Sequence, residues 1–455
     1  MKKTFIAALC ASSVGLGACG LDIPDLNNPS LESLQQTPTR SSVTAAAHGL
    51  LIGNRDNKSD HNGYVAHLGL LGRESYTFDT TDPRFGNEML TGTLNPGNAA
   101  FGGNFWTGPY ANIRNANTLM EALDKVPADD LNDAQKEAIR GFAKTIQAHE
   151  FLTIVSARDT NGGPIDVSGD PRTLAPIVSK DEMLTRVVSL LDEAKGHLDA
   201  SVAAENDAFP FTLGSGYAGF EKPSTYVKFN RALKARAQVY LKDWTGTLTS
   251  LGESFLDTNR ELTLGTYYSF GTGSGDTING LTNTAIYAHP SIVRDAERKP
   301  DCVDVGAEPF RCLDARVGRK IAQVAQGTYQ NLSSTYGFTM YEQPTAPLPI
   351  IRNEELVLLR AEANINIGTE AALTAAEEDL NRIRVINGLE PVLLTTENAV
   401  DVLLKERRYS LLFEGGHRWI DMRRYNRLNQ LPKDRTNDVV HERFPIPVLE
   451  TDARQ

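Results

Sequence analysis

The chain is poor in the features that name a function quickly. Four cysteines occur in 455 residues, at 10, 19, 302 and 312, and tryptophan occurs three times. No H-E-x-x-H, G-x-S-x-G or Walker-type glycine loop is present, so zinc-protease, α/β-hydrolase and nucleotide-binding readings have no motif to rest on. The glycine-rich "GTGSG" at 271–275 has no strand-then-helix pattern around it, and "DNKSDHNG" at 56–63 puts Lys58 where a calcium loop needs its first acid. Basic charge is also short: the formal net charge is −11, with no run of lysines and arginines. Such a chain is a poor partner for a phosphate backbone, which excludes nucleic acid as the expected ligand. No apolar run approaches the roughly 20 residues of a membrane-spanning helix.

What is present begins at the N-terminus. Lys2 and Lys3 precede the apolar run from Phe5 to Leu9, and small residues follow from Ala11. That order of charge, apolar core and small residues is a secretory signal. Leu16-Gly17-Ala18-Cys19 also resembles the lipobox of bacterial lipoproteins, which implies cleavage before Cys19 and acylation (palmitate being the usual acid) on it. The other reading is an ordinary cleaved signal with an incidental cysteine. Removing residues 1–18 takes away two lysines and no acid, leaving a mature charge of about −13. Cys302 and Cys312 then remain, in "DCVDVGAEPFRC". In an exported chain so close a pair reads as a disulfide, with two free thiols as the alternative. A metal site there would need further His or Cys ligands, and none is near.

Hydrophobic residues at 40% and charged residues at 23% are those of a globular protein. Amphipathic helical patterns recur in pairs: 111–126 with 133–158, then "KDEMLTRVVSLLDEAKGHL" with "STYVKFNRALKARAQVYLKDW". In the first of the latter two, Leu184, Val187, Leu191, Ala194 and Leu198 share a face; in the second the stripe runs Phe229, Leu233, Ala237, Tyr240, Trp244, with Ser224 as the expected N-cap. From about 245 to 350 glycine, serine and threonine dominate and periodicity fades. Helices return with "NEELVLLRAEANINIG", "ALTAAEEDLNRIRVIN" and "AVDVLLKERRYSLLFEGG". The expected fold is mainly α: helix pairs resembling tetratricopeptide units, forming one large body with long loops and minor β structure.

"ERRYSLLFEGGHRWIDMRRYNRL" (406–428) reads as a helix through Phe413, a break at Gly415-Gly416 and a second helix. Arg407, Arg408, Arg418, Arg423 and Arg424 stand within one or two turns of Glu406, Glu414 and Asp421, a pattern for ion pairs locking the two helices. Glu414, His417 and Asp421 at i, i+3 and i+7 raise a metal or acid/base reading. The glycines interrupting the helix and the flanking arginines oppose it. Downstream, "RFPIPVLE" predicts a stiff extended tail lying across the body.

Here the chain resembles the SusD/RagB family of cell-surface lipoproteins of glycan uptake. The resemblance rests on the lipobox with "LDIPDLNNP", on "FWTGPYANIRNAN", "AIRGFAKTIQAHEFLTIVSARDTNGGPI" and "LPIIRNEELVLLRAEANINIG", and on "LNRIRVINGL", "LLKERRYSLLFEGGHRWIDMRRY" and "FPIPVLE", in the family's order. It implies a signal peptide at 1–18, an N-terminal anchor and loop-rich segment at 19–110, helical pairs at 111–245, a loop-rich, ligand-facing insert at 246–350 and a C-terminal helical region at 351–455. It further implies a non-catalytic protein of the outer membrane, lipid-anchored and facing outward, with no cofactor. Such a protein binds oligosaccharide nutrients and passes them to a SusC-like TonB-dependent transporter. The alternative is a surface-anchored glycan hydrolase using an acidic pair, for which no motif speaks.

Sugar rings stack their C–H faces on aromatics while polar side chains bond the hydroxyls. Trp106, in "GGNFWTGPY", is the first candidate ligand contact, read as a loop residue just before a helix; the other reading packs it in the core. Tyr76, Asp79 and Arg84 in "ESYTFDTTDPRFG" come second. Tyr267, Tyr268 and Phe270, with Tyr287 close behind, form a third cluster, each with a core role as its alternative. Cys19→Ser should leave an unprocessed or soluble product in detergent partitioning of cell fractions. Membrane retention equal to that of the unaltered protein would remove the lipid assignment.

Overall fold

The computed structural model describes residues 31–97, 104–167, 174–304 and 308–455, so the signal and Cys19 lie outside the described residues. The first helices are α1 (Leu31–Gln36), α2 (Arg40–Arg55) and α3 (Tyr64–Leu71). Thr39 caps α2 through a reciprocal pair of bonds with Ser42. Every residue of α3 is buried, as befits a helix that is apolar nearly all round. Strand β1 (Ser75–Thr77) and the short α4 (Arg84–Asn87) follow.

The helical pairs then appear as the periodicity predicts. α5 (Asn104–Leu123) packs on α6 (Asp133–Arg158), and α6 packs on α7 (Lys180–Ala203), which packs on α8 (Pro223–Leu241). Asn132 and Ser179 close capping boxes with Gln135 and Glu182 at the starts of α6 and α7. From Thr145 to Arg158 every residue of α6 is buried, so this helix is the spine of the body. Between α6 and α7, β2 (Gly163–Pro164) pairs with β3 (Ile177–Val178).

Helix boundaries differ from expectation in places: α5 runs over 104–123 rather than 111–126. Lys222, not Ser224, is the cap of α8, with Pro223 at the first helical position; Ser224 instead bonds Asp207 through its N–H (2.9 Å) and hydroxyl (2.7 Å). α8 also stops before Trp244, because Lys242 turns left-handed at φ 62° and Trp244 opens α9 (Trp244–Gly252).

The segment without helical period holds β4 (Gly265–Tyr268), β5 (Ile286–Ala288), α10 (Ser291–Arg294), α11 (Ala315–Lys320), β6 (Ile321–Tyr329), β7 (Leu332–Phe338) and β8 (Leu348–Arg352). All the strands pair two by two and antiparallel: β1 with β5, β4 with β8, β6 with β7. Cys302 and Cys312 are joined by a disulfide here. The C-terminal helices are α12 (Asn353–Ile367), α13 (Glu370–Ile386), α14 (Ala399–Ser410), α15 (His417–Arg424) and α16 (Val448–Asp452). The molecule is thus mainly α with minor β. Among the described residues no helix is long and apolar enough to cross a membrane.

α14 ends at Ser410, three residues before the expected end, because Phe413 takes a left-handed conformation (φ 57°) and stacks on Phe338 with centroids 4.1 Å apart. Gly416 is required beyond it. Its φ is 74°, and a Cβ there would sit 2.3 Å from the Leu68 Cβ. The tail after α15 crosses the body as extended chain, Phe444 N donating to Ala157 O at 3.0 Å, and then closes with α16 rather than staying extended.

The arginines of 406–424 reach further than their own helices. Asp421 is held by Arg407 (2.6 Å) and Arg424 (2.7 Å), as the local spacing predicts. Glu406 instead lies between Arg316 (2.6 Å) and Arg384 (2.7 Å), and Glu414 between Lys320 (2.8 Å) and Arg352 (2.9 Å). Arg408 bridges to Asp295, and Arg418 donates to Gly72 O. Burial alone would raise the Glu414 and Asp421 carboxyls; facing Arg352 and Arg407 respectively, both are held below the ordinary range. Glu414 and Asp421 therefore belong to separate ion pairs, and no group of three or more metal-ligating side chains occurs among the described residues. Glu406→Gln leaves two buried guanidinium groups short of a counter-charge and should cost about 3–5 kcal/mol in urea unfolding. A loss under about 1 kcal/mol would show that the pairs carry no such weight.

Candidate functional site

Loops from four parts of the chain converge on one face. Arg55, at the end of α2, donates to Ser269 O at 2.7 Å and lies 5.7 Å from the Phe270 ring centroid. His61 faces Asp79 at 3.7 Å. Gly280 lies so close to the 59–61 loop that a Cβ would be 3.0 Å from Asp60 Cα. Phe78 N donates to Ala285 O at 2.8 Å, continuing the β1–β5 pairing in which Tyr76 stands opposite Tyr287. The β6–β7 hairpin completes the face, its Gln330 donating to Asn87 Oδ1 at 3.0 Å.

At the centre are three rings in sequence. Tyr76 stacks on Phe78 (centroids 5.3 Å), and Phe78 meets Tyr287 at 5.0 Å. Phe78 and Tyr287 are half-buried, so each keeps surface for a ligand. Gly327 of the hairpin backs Tyr287: a Cβ there would come within 2.4 Å of Cζ, so only glycine lets the ring lie where it does. Beside the rings, Asp79 accepts from the Thr81 N–H (2.8 Å) and hydroxyl (2.6 Å), and these bonds hold its carboxyl below the ordinary range. Arg84 donates to Asp82 through Nε (2.7 Å) and Nη2 (2.6 Å). Two aromatic surfaces next to fixed polar groups suit a ring-shaped ligand with one apolar face and a hydroxylated edge.

The structure separates the candidates. Asp79 and Arg84 lie on this face, while Phe270 lies against Arg55 at the end of α2. Tyr76 is beneath it, 2% exposed, its hydroxyl 3.2 Å from His289 Nε2, which also faces Asp434 at 3.0 Å. Trp106 is not a loop platform. It lies in the first turns of α5, 5% exposed, against Tyr110 (4.8 Å) and Arg158, with Nε1 donating to Glu450 Oε2 at 3.3 Å. Glu450 of α16, Tyr110 and Arg158 are its neighbours. Tyr268 is likewise buried, its ring parallel to that of His149 at 6.3 Å, and both line a small pocket of about 60 Å³. Tyr267 points the other way, into a groove of about 520 Å³. Phe78 joins the site although no motif marks it; the signal for it is the alternation in "ESYTFD", which puts it two residues from Tyr76 on the same strand side.

Residues 324–448 match the SusD family model. No curated protein sequence matches the chain. Among solved structures, a SusD superfamily protein from Bacteroides vulgatus is similar with a TM-score of 0.66 at 16% identity, over 91% of this chain and 97% of that one. A SusD-like carbohydrate binding protein from Bacteroides fragilis gives 0.66 at 14% identity, over 87% of each chain. A laminarin binding SusD-like protein gives 0.61 at 17% identity, over 91% and 97%. The chain therefore carries the SusD family's sequence pattern over residues 324–448, and its described residues share the fold of these SusD-like structures.

Proposed function

We propose that the protein is a non-catalytic, lipid-anchored oligosaccharide-binding protein of the outer surface, which hands its ligand to a SusC-like TonB-dependent transporter. The observation that carries this reading is the half-exposed Phe78–Tyr287 pair, set among Asp79, Asp82 and Arg84 where the irregular loops meet. Support also comes from relatives of the same fold, one described as carbohydrate binding and one as laminarin binding. The face has the chemistry of saccharide capture: rings for C–H surfaces, with carboxylate and guanidinium groups at the edge. Its carboxylates are committed to Thr81 and Arg84 rather than poised as an acid/base pair.

Titration calorimetry with a panel of neutral oligosaccharides should find a ligand whose length is unchanged on chromatography after incubation; shortened chains would favour a hydrolase. Phe78→Ala and Tyr287→Ala should each weaken that ligand by about 1–2 kcal/mol, part of the value of burying a large apolar side chain, with little change in melting temperature. Trp106→Ala should do the reverse, lowering stability by about 3–5 kcal/mol as a core truncation. Undiminished affinity in both Phe78 and Tyr287 variants would move the site elsewhere.

A further inference from the structure

Neighbours in β4 point to opposite sides, and while Tyr268 faces the interior, Tyr267 lines a groove away from the loop face. The groove encloses about 520 Å³, within the range of small-ligand sites. Leu262, Tyr267, Pro349 and Ile386 give it an apolar lining, and Ile386 is 53% exposed. The Tyr267 hydroxyl donates to Thr263 O, which fixes the ring.

The charges around this lining are unevenly matched. Arg316 is satisfied by Asp314 and Glu406, Lys320 by Glu414, and Arg352 by Glu354 and Glu414; also lining the groove, Arg260 faces Asp257 at 3.9 Å and the Glu261 carboxylate accepts from the Thr263 hydroxyl at 3.4 Å. Arg319 differs. Among the described residues its guanidinium bonds the neutral Asn387 Oδ1 and pairs with no carboxylate. It is nevertheless held in place: Asn387 is buried and donates to Ile383 O at 2.7 Å, and the Arg319 carbonyl accepts from the Thr339 hydroxyl at 3.0 Å. An exposed guanidinium fork, oriented by a buried amide and lacking an acid, is suited to a planar carboxylate.

We propose that this groove is a second saccharide subsite, taking an acidic sugar ring whose carboxylate pairs with Arg319 while its C–H face lies on Tyr267 and Pro349. It rests on the reading that the protein binds glycans, and it adds the substrate class: oligosaccharides carrying uronic acid.

The test uses the mature chain with galacturonate, glucuronate and their neutral hexoses, followed by ligand-observed NMR. The uronates should bind, more weakly as salt rises, and the hexoses should not compete at this site. Arg319→Gln should weaken uronate binding about tenfold or more, the worth of one charge-assisted bond, with an unchanged melting temperature. Phe78→Ala should leave uronate binding intact. Uronates that bind no better than hexoses, or equally well to Arg319→Gln, overturn the proposal. If they fail while neutral oligosaccharides still bind at the loop face, only this inference falls; if no saccharide binds, the glycan reading falls with it. Binding of an Asp/Glu-rich peptide in place of uronates would reassign the groove and likewise overturn it.

Discussion

The structure depends on charges that cannot stay buried alone. Glu406 and Glu362 are fully buried, and Arg316, Arg384 and Arg407 nearly so. Each such group costs several kcal/mol to remove from water, so its position is set by its partner. Glu406 on α14 draws in Arg316 from α11 and Arg384 from α13. Glu414, in the turn after α14, draws in Arg352 from the end of β8 and Lys320 from the end of α11. Asp421 on α15 ties back to Arg407, and Arg424 extends the link to Glu362 on α12. Apolar contacts alone tolerate many helix arrangements; a misregistered partner here strands a charge. The pairs therefore specify the arrangement more than they add to net stability.

This lattice also explains how irregular loops hold a definite surface. β6 begins immediately after Lys320, so the base of its hairpin is pinned to Glu414. The hairpin in turn seats Gly327 against Tyr287, and Ser334 donates to Ala288 O at 2.7 Å, fixing β5. β5 then carries β1 in register, with Tyr76 anchored below by His289. Each step is short and antiparallel, and none demands a large sheet. The half-exposed rings Phe78 and Tyr287 are thus linked to the buried arginines through a few paired residues.

How legible all this was in the sequence follows from the period of each element. α6 occupies 133–158 as its apolar spacing predicts, because a 26-residue helix repeats its signal many times. Strands of two to five residues give no such repetition, and their pairing is set by distant partners, so β1 with β5 and β4 with β8 were invisible. The early end of α14 escaped because a left-handed Phe413 is paid for by its stacking on Phe338, which lies 75 residues earlier in the chain. Trp106 looked like a loop residue because glycine and proline surround it, yet Pro109 is tolerated near the start of a helix, where few backbone N–H groups have partners. Sequence spacing found the arginine-rich segment but matched only Asp421 to its partners; Glu406 and Glu414 find theirs on elements that no local pattern connects.

The same division between inside and outside bears on affinity. In Phe78 and Tyr287 part of each ring is already used, in packing with Tyr76 and with Gly327, so the aromatic surface is formed before any ligand arrives. A preformed surface loses little conformational entropy on binding, which favours rapid association. Yet half-buried rings offer only part of their area, and an open face leaves one side of the ligand in water, so the gain per ring is a fraction of full burial. Both effects favour a ligand that binds quickly and is held loosely. A more enclosed site would bury more of each ring and hold its ligand longer.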